Sequence, residues 1–187
     1  MMEILKKIFN IIKMMGRKIF ITSCPRLVVK VFYQNIWNLR KKIRESGHYT
    51  GCRHTLYEAY WQTYGSWIGI GAEFEDIPIF PHGGAWGVFI SNSAHIGKNC
   101  VIFHQVTIGS NMLIDSKNQG APTLEDNVFV GCGAKIIGKV HVGKNARIGA
   151  NAVVVKDVPA NSVTVIRGVE SIAKAEELNN TYVENKL

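Results

Sequence analysis

Apolar residues in the second half of the chain recur every six positions. From Val130 the sequence runs VGCGAK, IIGKVH, VGKNAR, IGANAV and VVKDVP, each block opening on Ile or Val. A small or β-branched residue follows four places after most openers. Upstream, ISNSAH, IGKNCV and IFHQVT keep the same step, and Ile68, Phe74 and Phe80 carry it toward the N-terminus. Ordinary half-buried strands alternate with a period of two and turn every 8–12 residues or so. A fixed step of six predicts instead an all-β parallel β-helix, in which three hexapeptides complete one triangular coil. The opener points into the prism and stacks on its equivalent one coil away, roughly 4.8 Å along the axis. The small residue fits the inner corner.

The step fails twice. After Phe80 the next in-phase opener is Ile90, so four extra residues lie within PHGGAWGVF. After Ile108, SNMLIDSKNQGAPT intervenes before Leu124, about ten extra residues that form an insertion over 110–123. Scaffold repeats are uniform, and insertions between them are where function concentrates. His82 opens the first insertion. It follows Phe80 by two places, as His104 follows Ile102. With the four inserted residues removed, their separation is one coil, so the register predicts His82 over His104 on one corner. These two are the candidate catalytic residues. His95 and His141 take the last, outward place of their blocks and read as solvated. His48 and His54 fall outside the repeat.

Three regions follow: a basic α-helical N-terminal segment (1–66), the β-helix (67–168), and a tail (169–187) that reads as helical from Ala173 before fraying. Residues 2–20 place Ile4, Leu5, Ile8, Ile11, Ile12 and Met15 on one helical stripe. Pro25 breaks that helix, and further helices are predicted over Leu27–Glu45 and Thr55–Tyr64. The first 45 residues hold eleven Lys or Arg against Glu3 and Glu45, a net of +9, whereas the whole chain carries +8. Such a helix packs against the domain or a sister subunit, or lies on an anionic membrane face. No nucleic-acid module accompanies the charge. No run of 18 apolar residues is present to span a membrane. Cys24, Cys52, Cys100 and Cys132 show no metal spacing. Free cysteines without a signal-peptide pattern predict a cytoplasmic protein, peripheral on the inner membrane face if the N-terminus meets lipid. Cys100 takes the small inner position of its block, as a buried thiol does.

The repeats, the segment PHGGAWGVFIS, the run IGKNCVIFHQVTIGS and the ending GANAVVVKDVP resemble the hexapeptide-repeat acyltransferases. The resemblance covers about residues 66–168. It points to the serine acetyltransferase-like branch that includes capsule and exopolysaccharide O-acetyltransferases. It implies a left-handed β-helix, a homotrimer with active sites between subunits, and acetyl-CoA as co-substrate with no metal. A His at the position of His82 is the general base in that family. It takes the proton of an acceptor hydroxyl as the oxygen attacks the thioester carbonyl, and backbone N–H groups steady the oxyanion. By the same resemblance the pantetheine arm pairs with backbone groups at Gly131, Gly133, Ala134, Gly149 and Ala150. Lys139, Lys144, Arg147, Lys156 and Arg167 are the candidates for the phosphates. Trp86, Gln105, Asn111 and Asp115, with Lys117, are candidates to shape the acceptor pocket.

Departures from the family bear on the acceptor. Serine acetyltransferases carry an Asp where this chain has Trp67, another where it has Pro81, and an Arg-His pair where it has Gly120-Ala121. A pocket for zwitterionic serine loses its charge partners with those residues. A hydroxyl of a sugar or polysaccharide precursor is therefore the expected acceptor, with serine as the alternative. Glu73, Glu75 and Asp76 are the nearby carboxylates available to orient His82. Two other classes stay open: a zinc enzyme using His82 and His104, and a scaffold that binds no CoA.

Overall fold

The computed structural model describes residues 22–166. The predicted helix at 2–20, the tail beyond 168 and Arg167 lie outside them. Three helices are complete among the described residues: α1 (Pro25–Tyr33), α2 (Ile36–Ser46) and α3 (Cys52–Gln62). The single helix expected over Leu27–Glu45 is therefore two. Gln34 turns to φ 66°, and Asn35 caps α2 by accepting the Asn38 N–H on its side-chain oxygen at 2.9 Å. An asparagine at that position satisfies one of the free N–H groups of a new helix start. Gly47, at φ 63°, ends α2 in a left-handed conformation that costs glycine little.

Thirteen short strands then wind into a left-handed parallel β-helix. Its three faces are the sheet β1-β3-β6-β9-β12, a sheet of β10 (His141–Val142), β7 (Thr123–Leu124), β4 (His95–Ile96) and β2 (Glu73–Phe74), and a sheet of β13 (Val163–Thr164), β11 (Arg147–Ile148), β8 (Phe129–Val130) and β5 (Val101–Ile102). We call these faces A, B and C, and name each corner by the two faces it joins. The chain visits them in the order A, B, C. On face A, β1 (Trp67–Ile68), β3 (Phe89–Ile90), β6 (Thr107–Gly109), β9 (Lys135–Ile137) and β12 (Val153–Val154) stack. Their register aligns Ile68, Ile90, Ile108, Ile136 and Val154, all buried. Removing one such side chain from water stabilises the fold by about 1.5–3 kcal/mol. The inner corners hold Ala72, Ala94, Cys100, Val106, Val128, Ala134, Val140, Ala146 and Ala152, each essentially inaccessible. Larger residues there would overfill the prism.

The β-helix begins at Trp67 and has no earlier coil to receive the carbonyls of its first turn. The helices supply the donors. Arg40, itself buried, donates to the carbonyls of Ala72 and Ile70. Arg44 adds a bond to Ala72 at 2.9 Å. Trp37 packs edge-on against Phe74 with ring centroids 5.2 Å apart. One continuous apolar core thus runs from the helices into the prism. No helix among the described residues is long and apolar enough to cross a membrane.

Candidate active site

The first insertion lies where the chain passes from face C to face A. The bridge Ile79↔Val101 sets the register across it. Ile68 pairs with Ile90 and Phe89 with Thr107, so four residues bulge outward without shifting the coils. His82 and His104 consequently share the C/A corner. Their ring centroids are 5.7 Å apart with planes at 80°. Phe103 braces His82 edge-on at 5.6 Å. Phe103 was not a sequence candidate, although it follows its opener on the same coil and so could have been found by the same count.

The backbone at His82 is unusual. Asn99, Gln105, Asn127, Asn145, Asn151 and Asn161 have positive φ, and each stands three places after its opener. His82 reaches φ 61° only two places after Phe80, and Gly83 and Gly84 continue at 79° and 150°. A non-glycine residue in that region marks strain held by its surroundings. The result is an exposed imidazole at the mouth of a cleft of about 370 Å³ lined by His82, Trp86, Gly87, His104 and Gln105. Trp86, 43% exposed, forms one wall. Lys135 donates to the Gln105 carbonyl at 2.7 Å and brings an ammonium group to the rim.

The carboxylates considered for His82 are engaged elsewhere. Glu73 and Glu75 flank His95 at 3.4 and 3.1 Å, and Asp76 accepts from the Ile77 N–H. Among the described residues no carboxylate bonds or ion-pairs with His82 or His104. His95 and His141 are thus paired as well as partly solvated, since His141 meets Glu125 at 3.0 Å. His54 is near Glu58 at 3.5 Å. Among the described residues no group of three or more His, Cys, Asp or Glu side chains is placed to hold a metal.

The remaining candidates divide by corner. Gly131, Gly133, Gly149 and Ala150 lie on the C/A corner below His104. Their lack of bulk already has an internal reason: a Cβ on Gly131 would lie 2.7 Å from the Ala150 nitrogen, and one on Gly133 would lie 2.0 Å from the Asn151 side-chain oxygen. The N–H groups of Gly131, Gly133 and Gly149 bond to Ile148, His104 and Thr164. Ala134 is a correction. It is fully buried and its N–H bonds to Gly131, so it shapes the corner from inside and offers no contact surface. Lys139 and Lys156 are exposed on the A/B corner. Asn111 and Asp115 also belong there, because the insertion leaves face A at Gly109 and returns on face B at Thr123. None of these four lines the His82 cleft of its own chain. Asn111 organises the loop itself: its oxygen accepts from the Leu113 N–H at 3.0 Å and its amide donates to Ser116 at 2.7 Å.

Residues 121–156 match the family of bacterial transferase hexapeptide repeats (six repeats). The chain is also similar to a serine acetyltransferase of Mycobacterium tuberculosis, 44% identical over 81 residues, which cover 43% of this chain and 34% of that protein. A solved serine acetyltransferase of Neisseria gonorrhoeae in complex with serine superposes with a TM-score of 0.60 at 25% identity, covering 84% of this chain and 70% of the other. One of Brucella abortus in complex with coenzyme A gives 0.59 at 26%, covering 77% and 57%. The chain spans about a third to a half of the length of the curated relatives it matches.

Proposed function

We propose that this chain is an acetyl-CoA-dependent O-acetyltransferase with His82 as its general base. The observation that carries this reading is the exposed His82–His104 corner over an open cleft, on a scaffold whose solved relatives include serine-bound and CoA-bound acetyltransferases. A neutral imidazole takes the proton from the acceptor hydroxyl as that oxygen bonds to the thioester carbonyl carbon. The carbon–sulfur bond then breaks, and the proton held by His82 goes to the departing CoA sulfur. His104 stands edge-on to His82 at 5.7 Å on the same corner. CoA is a substrate here. Gly131, Gly133, Gly149 and Ala150 provide a low wall along the same corner, against which the thioester arm would lie.

For the acceptor, the named relatives favour serine, and the polysaccharide branch expected from the sequence finds no support among them. A neutral sugar hydroxyl remains the second reading on one observation: the cleft lining contains no Asp, Glu or Arg side chain, and the Lys135 ammonium at its rim is bonded to the Gln105 carbonyl, while Trp86 offers a ring platform.

The same reading includes a homotrimer. Trp67, Phe89 and Val153 stand exposed on face A, and Ile79, Phe129 and Val163 on face C. Burying such faces against sister prisms is what uncovered apolar surface favours. Asn111, Asp115, Lys139 and Lys156, which do not line the cleft of their own chain, would in such a trimer act from a neighbouring copy if they act at all. We place the protein in the cytoplasm. Membrane contact by the basic N-terminus is supported by the exposed Leu27, Val31 and Phe32 on α1, and sedimentation with anionic against neutral vesicles tests it.

Release of free CoA thiol from acetyl-CoA tests the function, with L-serine compared against a panel of sugars. Serine-dependent release supports the first acceptor and sugar-dependent release the second. No release with any hydroxyl acceptor overturns the assignment.

A further inference from the structure

We propose that Arg26 is a positioning residue for the His82 cleft, acting through Tyr64 and Trp86. The proposal rests on the acetyltransferase reading for its kinetic consequence but not for its structural one.

Arg26 lies in the first turn of α1, remote in sequence from the prism. Its side chain is fixed at both ends of the guanidinium. Nε donates to the Thr63 hydroxyl at 2.7 Å and Nη2 to the Thr63 carbonyl at 2.9 Å. Thr63 caps the C-terminus of α3, where unpaired carbonyls favour a cation. The planar group then lies over the Tyr64 ring, 3.9 Å from its centroid, and 5.4 Å from that of Trp86. Tyr64 meets Trp86 edge-on at 4.8 Å. Arginine suits this role because a fork of donors and a flat stacking face act together.

The stack continues into the insertion. The Tyr64 carbonyl accepts the Gly87 N–H at 3.0 Å. Gly84 rests so closely on the Tyr64 ring that a Cβ there would come within 2.6 Å of Cε1. The Trp86 carbonyl accepts the Gln105 N–H at 2.7 Å. The His82–Gly83–Gly84 backbone has three consecutive positive φ values, so its geometry depends on what its ends rest upon. Its Gly84 end rests on Tyr64, and Arg26 lies over Tyr64. The N-terminal helices thereby set both the wall and the base of the cleft. A displacement of the order of an ångström at a reacting group is costly in rate.

The test uses the full chain and the variants Arg26→Ala, Arg26→Lys, Trp86→Ala and the Arg26→Ala/Trp86→Ala pair. Hydrogen exchange by mass spectrometry is followed in the segment 80–88, with strands β8–β12 as internal reference. Faster exchange confined to 80–88 in Arg26→Ala, smaller in Arg26→Lys, is expected. Steady-state kinetics with serine should show a loss of about tenfold in kcat/KM for the acceptor, with KM for acetyl-CoA unchanged. The double variant should lose little beyond Trp86→Ala, as for residues acting in one chain of contacts. Unchanged exchange in 80–88 overturns the proposal. Equal losses for both substrates together with faster exchange throughout the prism also overturn it, because they describe a merely structural arginine. If the wild-type chain turns over no acceptor, the acetyltransferase reading fails while exchange in 80–88 still decides the role of Arg26.

Discussion

His82 and His104, separated by 22 positions in the chain, stand one coil apart on the same corner with ring centroids 5.7 Å from each other. The pair is held by different means. His104 follows β5 (Val101–Ile102) on the regular path, whereas His82 sits on a bulge and takes a positive φ. Regular coils fix position, and the interruption exposes the side chain.

The small residues beside this corner are explained by coil stacking, and that can be tested. A Cβ added at Gly131 would meet backbone atoms at 2.7 and 2.9 Å, those of Ala150 and Ile148. Gly131→Ala should therefore destabilise the fold by about 1–3 kcal/mol, the usual cost of overpacking. Chemical denaturation measures this. A variant of wild-type stability would assign the glycine to ligand access instead.

Thiol reactivity should separate Cys24 and Cys52 from Cys100 by environment. Cys24 and Cys52 are exposed and Cys100 is buried. Burial pushes the Cys100 thiol up, and the charges of Asp126 and Glu75 push it further in the same direction. A raised thiol pKa means less thiolate at any given pH, so both access and ionisation protect it. At mildly alkaline pH a disulfide reagent should modify Cys24 and Cys52 promptly and Cys100 only after denaturant is added. Prompt reaction of Cys100 in the folded protein contradicts the inner-corner placement.

Glu73 and Glu75 serve His95, so they should be dispensable for turnover. The double variant Glu73→Gln/Glu75→Gln removes partly exposed ion pairs of the kind worth about 0–1 kcal/mol. We expect kcat and both KM values within about twofold of wild type. A loss as large as that caused by removing His82 would return these carboxylates to the site.

Much of the scaffold was legible because its code is one-dimensional. Ile68, Ile90, Ile108 and Ile136 recur in phase, and counting through the insertions brings each onto the next. The His82–His104 stack came from the same count. What the period could not carry was contact between distant segments. Nothing in the sequence ties Arg26 to Tyr64 and Trp86, since a cation over a ring has no spacing rule. The break at Gln34-Asn35 was missed because the apolar pattern continues across it, while the Asn35 cap decides the boundary. The carboxylates offered as candidates to orient His82 were chosen by nearness in sequence alone. Face B turns Glu73 toward His95, its neighbour across the ladder.

His82→Asn is the most direct test of the central assignment. Asparagine accepts a positive φ more readily than most residues, so the turn is preserved while the imidazole is lost. With thiol release from acetyl-CoA as the readout, and circular dichroism and oligomeric size shown to be unchanged, we expect acceptor-dependent turnover to fall by about 10²–10⁴-fold, the usual contribution of a general base. Turnover at the wild-type rate in that variant would contradict the assignment of His82.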